Sequence, residues 1–315
     1  MLSEQLFKVF QNFPWQSGPQ KDVSLAPFTS FRCKAKADLG LVLQTEGELV
    51  QFLSIVKKEK TPWLILGRGS NTLFTDRGIQ GVVCWLKGNF QTINFNTKGQ
   101  LQVGAGVLNR VLSLRLKNLE LKGGEFLSTI PGSVGGSLVM NAGAFGQEIK
   151  DSILSVRACN LEGEIKNFPH ALCQFSYRSS VFQKEPFVLC SGDFFFEKGE
   201  KKEIEALEKL YQQKRKSTQP TLAATWGSVF KNPKEADGKS AGALIEGCGL
   251  KGKGFGQVKI SEKHANFFEN LGDANFSDIQ QTILLAQSAV REKFGVQLEL
   301  EVKIYDSHAH RIDFQ

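Results

Sequence analysis

The sequence predicts an α+β protein with room for two or three domains in its 315 residues. Strand-length apolar segments recur through the first two-thirds of the chain, helix-patterned segments lie between and after them, and a strict alternation stands near the end. In order, the strand-length segments are TPWLILG, GVVCWL, QTINF, LQVGAGV, ILSVRACN, EIKNF and PFVLCSGDFFF, bounded by Gly, Asn, Asp and Lys as strands usually are. LNRVLSLRLKN, within that run, carries a short helical pattern. EKGEKKEIEALEKLYQQKRK places Ile204, Leu207, Leu210 and Tyr211 at helical spacing and ends in basic residues, which suits the helix dipole. The character then changes, so a domain boundary is expected near residues 198–217. KSAGALIEGCG and SDIQQTILLAQSAVREKF read as helices, the second with Ser277 as N-cap and Gly295 just past its end. Last, VQLELEVKIY puts Val296, Leu298, Leu300, Val302 and Ile304 on one face of a strand.

Bulk properties narrow the function classes. No stretch approaches the ~20 apolar residues a membrane span requires, and MLSEQLFKVFQNFPWQ lacks the features of an export signal. Cys33, Cys84, Cys159, Cys173, Cys190 and Cys248 form no C-x-x-C pair, which points to reduced thiols and the cytoplasm. His170, His264, His308 and His310 do not cluster with those thiols, so no metal is expected. The net charge of +7 suits either a nucleic-acid surface or a small anionic ligand. Basic residues are spread rather than blocked, and no zinc-finger, RNP or helix-turn-helix signature is present, so the small anion is favoured over nucleic acid.

Glycine supplies the chemistry-bearing signals. TIPGSVGGSLVMNAGAFG, residues 129–146, holds Gly132, Gly135, Gly136, Gly143 and Gly146. Each glycine inside a helix or strand costs roughly 0.5–1 kcal/mol relative to alanine. Either tight turns flank a buried strand there, or the main chain must approach a ligand closely. In GRGSNT (67–72), Thr72 stands where a dinucleotide fingerprint needs its third glycine. In GCGLKGKG (247–254), Gly254 replaces the Ser/Thr that a P-loop needs for magnesium. Neither a Rossmann domain nor a P-loop is supported by these motifs. GRGSN and TIPGSVGG still read as turns or as two anion cradles, able together to clasp a pyrophosphate.

These residues, taken in order, resemble one family. TSF (29–31), GRGSNTLF (67–74), IPGSVGG…MNAGAFG (130–146), YRSSVF (177–182), QP…GSVFKNP (219–233), SAGALIEGCGLKG (240–252), SEKHANFFEN (261–270) and LEVKI (300–304) are similar to the UDP-N-acetylenolpyruvoylglucosamine reductases. The resemblance implies an FAD-binding domain of the vanillyl-alcohol-oxidase type, with α+β subdomains over 1–82 and 83–198. A helical linker over 199–216 and a substrate-binding domain over 217–315 would follow, the strand at about 296–305 packing back toward the FAD domain. It also implies non-covalent FAD, NADPH as hydride donor, a UDP-sugar substrate, a monomer, and a role in peptidoglycan precursor synthesis.

By the same resemblance FAD would be held by Gly67, Arg68, Gly69, Ser70, Asn71 and Thr72, by Thr129, Ile130, Pro131, Gly132, Ser133, Gly135 and Gly136, and by Asn141, Ala142 and Gly143. Arg178 would clamp the substrate carboxylate, Ser228 would donate a proton with Lys231 or a water steadying its alkoxide, and Glu301 would assist carboxylate polarisation. Tyr177, Lys231, Asn232 and Gln257 are expected at the substrate; LAATW, just before GSVFKNP, departs from the family's pattern and leaves the role of Trp226 at the substrate wall open. His264 and Asn266 read more readily as buried hydrogen-bond partners than as ligands. Two alternatives stay open at this point: another FAD oxidase or dehydrogenase, and a non-catalytic binder of an anionic nucleotide or RNA.

Overall fold

Val156, Ala158 and Phe194 have no solvent exposure, and the strands that carry them, Ile153–Cys159 and Val188–Phe194, pair antiparallel with Ala158 opposite Leu189. They form the middle of a five-stranded antiparallel sheet in the order Ile165–Pro169, Ile153–Cys159, Val188–Phe194, Leu101–Gly104, Ile93–Phe95. The computed structural model describes residues 2–97 and 99–314. Its chain divides into two compact units, one of residues up to 20, 40–68 and 82–215, the other of 21–39, 69–81 and from 216 onward. The sheet belongs to the first unit. Residues 21–39 and 69–81 thus group with the C-terminal residues, and the later crossing lies at 215–216.

Helices of the first unit show why their sequences fold locally. Glu46–Glu59 starts where Thr45 Oγ1 accepts the Glu48 N–H at 3.1 Å and ends at Lys60 with φ 50°. It buries Leu49, Phe52, Leu53, Ile55 and Val56, each side chain contributing about 1.5–3 kcal/mol. Asn109–Asn118 buries Leu112 and Leu116. Lys201–Thr218 is helical as the spacing predicted, but of the four apolar residues only Ile204 is buried and Leu210 is exposed; Glu208 is buried instead, accepting from Lys117 Nζ at 2.9 Å and from Ser113 Oγ. The parallel pair Trp63–Ile65 and Val82–Cys84 completes this description.

In the second unit, Lys303–Tyr305 runs parallel to Thr72–Phe74 and antiparallel to Arg311–Ile312, with Lys303 opposite Thr72. A second three-stranded sheet orders Gly254–Phe255, Val258–Ile260 and Phe268–Asn270. The helix Phe276–Phe294 has Asn275 as its N-cap, not Ser277: Asn275 Oδ1 accepts the Asp278 N–H at 2.8 Å. Ser277 lies inside the first turn, where its hydroxyl accepts from Gln281 Nε2. Gly295, at φ 69°, ends the helix as expected. Val296, Leu298, Leu300, Val302 and Ile304 are all buried, so the alternation was read correctly; ladder pairing, however, is confined to Lys303–Tyr305 and one bridge at Leu300. Trp226 lies in the core of the second unit. It is 1% exposed, packed on Phe31 with ring centroids 4.0 Å apart and edge-on to Phe268.

Candidate functional site

Within residues 129–146 the apolar run Val134–Met140 folds as a short helix rather than as a buried strand. Ser133 caps Val134–Met140, its Oγ accepting the Gly136 N–H at 3.3 Å. Val134 N–H donates to Val107 O at 2.8 Å and Gly135 N–H to Ala105 O at 2.9 Å, so the donors of residues 134–136 are all engaged within the protein. Gly135 answers a packing need instead, since a Cβ there would sit 3.0 Å from both Ala105 Cβ and Ala105 O. Gly132 and Ser133 keep N–H groups without an acceptor among the described residues. Thr129 Oγ1 donates to Phe126 O, and Ile130 O accepts from Asn109. Across sequence, a Cβ on Gly67 would lie 2.6 Å from Ser133 Oγ. The two glycine loops therefore meet at these residues of the first unit, while Gly67 and Arg68 have N–H groups with no protein acceptor among the described residues.

Asn141 ends the short helix at φ 44° and is fully buried. Its Nδ2 donates to Ser176 O at 2.9 Å and its Oδ1 accepts the Lys150 N–H at 3.3 Å, so it ties the turn at 176–179 to the segment after 141. Ala142 O accepts from Ile149, which closes the base of a hairpin in which Glu148 faces Gly143. Arg178 sits in the 176–179 turn at φ 53°. Its guanidinium lies 5.2 Å from the Tyr177 ring centroid, and Nη2 donates to Gly143 O at 3.3 Å.

The second unit holds the other half of the loop 67–72. Gly69 has φ 60°, and a Cβ on it would lie 2.1 Å from Phe28 O. Ser30 N–H donates to Gly69 O at 3.2 Å, and Ser30 Oγ is buried without a partner among the described residues. Asn71 Nδ2 donates to Glu301 O at 3.1 Å, and Asn71 O accepts from Lys303 N–H at 3.0 Å. Glu301 N–H in turn donates to Val229 O at 2.8 Å. Ser228 is bridged to Phe267 in extended backbone, and its hydroxyl, on a half-buried residue, has no protein partner among the described residues. Thus Asn71, Ser228 and Glu301, up to 230 residues apart in sequence, are neighbours in one unit. Arg178 belongs to the first unit, with Tyr177 and Gly143.

The remaining residues read from the sequence divide by partner. Lys231 Nζ is paired with Glu299 Oε2 at 3.0 Å, which engages the ammonium expected to steady Ser228. Asn232 Oδ1 accepts the Ala241 N–H at 3.1 Å, beside the Ser240 cap of the helix Ala241–Gly247. Gln257 is exposed on a hairpin, its N–H held by Asp278 at 3.0 Å. Asn266 brackets Phe230, accepting its N–H at 3.0 Å and donating to its carbonyl at 2.8 Å; burial lowers the pKa of His264, whose Nδ1 accepts from Asn266 N–H. Asn266 is buried and His264 partly so.

Two residues escaped the sequence. Ser30 carries no periodic or charge signal, and its orphaned hydroxyl shows only in three dimensions. Lys303 reads as a polar-face residue, yet it is 9% exposed, and burial brings its ammonium down to about 8, helped by Arg311 and Lys231 against Asp313 and Glu301. Its folded pKa lies below the unfolded 10.5, so the charged form opposes folding, and stability should rise between about pH 8 and 10.5 as the proton leaves. Relative to Lys303→Met, the wild type is expected to gain up to about 1.4 kcal/mol per pH unit across that window in urea titrations.

A dinucleotide with a pyrophosphate would require unclaimed main-chain donors at a close backbone approach. Gly67, Arg68, Gly132 and Ser133 of the first unit supply such donors, so these residues fit the pyrophosphate of FAD. Among the described residues no helix is long and apolar enough to cross a membrane, and no cluster of His, Cys, Asp or Glu could hold a metal ion.

Residues 38–168 match the family described as FAD binding domain, and residues 219–305 match the UDP-N-acetylenolpyruvoylglucosamine reductase C-terminal domain. A UDP-N-acetylenolpyruvoylglucosamine reductase of Clostridioides difficile is 41% identical over 90% of this chain and 92% of its own length. The protein of that name from Caldanaerobacter subterraneus is 39% identical over 88% of this chain and 90% of its own. The crystal structure of the reductase from Thermus caldophilus superposes with a TM-score of 0.76 at 31% identity, covering 90% of this chain and 98% of that one. With an FAD-binding domain, that C-terminal domain and the α+β organisation the sequence predicts, the chain belongs to the UDP-N-acetylenolpyruvoylglucosamine reductase family.

Proposed function

We propose that this protein reduces the enolpyruvyl ether of a UDP-N-acetylglucosamine conjugate to the lactyl ether, taking hydride from NADPH and a proton from solvent by way of Ser228, in peptidoglycan precursor synthesis in the cytoplasm. The observation that carries this reading is the hydroxyl of half-buried Ser228, without a protein partner among the described residues, on a segment bonded through Val229 to Glu301 and onward to Asn71 of a glycine loop. FAD, when bound, relays hydride from NADPH to the terminal vinyl carbon. Negative charge then develops on the neighbouring carbon and spreads into the carboxylate as an enediolate.

Arg178 is suited to that charge, because a guanidinium stays protonated at any working pH and presents a planar fork that matches a carboxylate. Its backbone is well held, with Gln183 Nε2 donating to Arg178 O at 2.9 Å. Ser228 Oγ–H delivers the proton to the carbon that bears the charge, and solvent restores it. Glu301 assists polarisation of the carboxylate. Gly67 to Thr72, Thr129 to Ser133 and Asn141 to Gly143 hold FAD in this reading, together with Ser30. Gly135 and Gly136 serve it through packing and capping. Tyr177, Lys231, Asn232 and Gln257 line the substrate.

The test is spectroscopic. Purified protein should show an oxidised flavin spectrum, bleach anaerobically with NADPH and recover its colour on addition of the enolpyruvyl UDP-sugar. A protein that cannot be loaded with FAD, or that consumes oxygen with no requirement for the UDP-sugar, contradicts the proposal. Arg178→Lys should slow the recovery by about 10²-fold, since a point charge cannot reproduce the fork, while bleaching stays within a few-fold of wild type. Near-normal turnover would remove Arg178 from the clamp.

A further inference from the structure

The hairpin that carries Gly143 is held at its tip by two aromatic rings. Gly143–Ala144 and Gln147–Glu148 pair antiparallel around Phe145 and Gly146, which have φ 56° and 81°. Positive φ at both central residues is the two-residue hairpin geometry that ordinarily selects Asn-Gly or Gly-Gly. A phenylalanine in the first position is a strained choice, of the kind that persists only when its surroundings hold it. What holds it is Tyr211: the rings stack with centroids 4.2 Å apart and planes 2° from parallel. Phe145 is otherwise 39% exposed, so the stack is a surface feature and not part of a core.

Tyr211 is itself well founded. It lies one turn after Glu208 on the helix Lys201–Thr218, and buried Glu208 pins that face through Lys117 and Ser113. The base of the hairpin is tied separately by Ala142 O with Ile149 N–H and by Asn141 with Lys150 N–H. Between base and tip, Gly143 offers its carbonyl to Arg178 Nη2 at 3.3 Å. Arg178 reaches that carbonyl from a turn fastened by Asn141 and Gln183. One side of this contact is therefore anchored locally, whereas the other depends on how the hairpin is set.

We propose that Phe145 and Tyr211 are a positioning pair for Arg178: their stack sets the tilt of the 143–148 hairpin and so the place of the Gly143 carbonyl that aims the guanidinium. This rests on the reading of Arg178 as the carboxylate clamp. Neither aromatic side chain touches substrate in it. A fork misplaced by about an ångström loses much of its value for a developing charge, which is how a residue outside the chemistry governs rate.

The test uses the FAD-loaded enzyme and four variants: Tyr211→Phe, Tyr211→Leu, Arg178→Lys, and Tyr211→Leu combined with Arg178→Lys. Tyr211→Leu keeps apolar cover on Phe145 but removes the flat partner. It should speed hydrogen exchange of the peptide 142–150, retain FAD, and slow flavin reoxidation by the enolpyruvyl UDP-sugar about 10- to 100-fold, with reduction by NADPH little changed. Tyr211→Phe should match wild type in every readout. In the Arg178→Lys background, Tyr211→Leu should add almost nothing. Equal losses in both backgrounds, unchanged exchange of 142–150, or a Tyr211→Phe variant as slow as Tyr211→Leu would each overturn the proposal. A harmless Arg178→Lys would instead overturn the clamp reading and the catalytic half of the proposal with it, and the exchange data would then decide whether the pair holds the hairpin at all.

Discussion

Ser228→Ala is expected to fall about 10²- to 10⁴-fold in the reoxidation of reduced flavin by the UDP-sugar, the range attributed to a positioned general acid. Reduction of the flavin by NADPH should stay within about two-fold of wild type, because that step needs no proton from Ser228. The structure makes this a clean substitution. Ser228 Oγ has no protein partner among the described residues, so its removal orphans no donor or acceptor. The extended backbone bridged to Phe267 suits alanine, and stability should change by less than about 0.5 kcal/mol. Single-turnover absorbance in each direction measures the two steps separately. Equal damage to both would take the proton-donor role away from Ser228.

Gly69→Ala should produce the largest structural effect. Its φ of 60° already disfavours any side chain, and the new Cβ would lie 2.1 Å from Phe28 O and 3.0 Å from Thr29 Cα. Those are main-chain atoms, which cannot swing aside as a side-chain tip would. Left-handed strain of about 1–2 kcal/mol and forced overpacking of about 1–3 kcal/mol together predict a loss of about 2–5 kcal/mol. Gly238 provides the control: its φ is 76°, but a Cβ there meets nothing within 4 Å, so Gly238→Ala should lose the strain portion alone. Urea unfolding of the two variants reads the difference. FAD content read from the same samples should drop in Gly69→Ala, since the displaced 28–30 segment carries the Ser30 hydroxyl. Similar losses in both variants would show that close approach at Gly69 is not what the glycine serves.

Periodic signals were legible because they repeat. The alternation from Val296 to Ile304 states which face goes inward, whatever the face meets, whereas the spacing of Ile204, Leu207, Leu210 and Tyr211 gave the helix but not its burial: Ile204 is buried and Leu210 is exposed. Gly295 was legible for a local reason, a helix end that needs positive φ. Non-periodic choices were not. Asn275 and Ser277 both suit an N-cap, and only the observed acceptance from Asp278 selects Asn275. The run VGGSLVM was open to a buried strand because glycines blur both periods; its helix is held from outside, by Val107 O and Ala105 O taking the first-turn donors. Trp226 stands where the sequence departs from the family's pattern, and its role was not legible: neighbours Phe31 and Phe268, far away in sequence, enclose it.

By itself the sequence determined the α+β class, the glycine loops and the ordered motifs that place the chain in its family, because backbone propensity, hydrophobic period and motif spacing are local properties of the chain. Only the tertiary structure decided which donors are left unclaimed, that Lys231 is taken by Glu299, that Lys303 is buried, and that Phe145 leans on Tyr211. Those outcomes depend on partners tens to hundreds of residues away, and solvation, pairing and pKa are set by what surrounds a group and not by its neighbours along the chain.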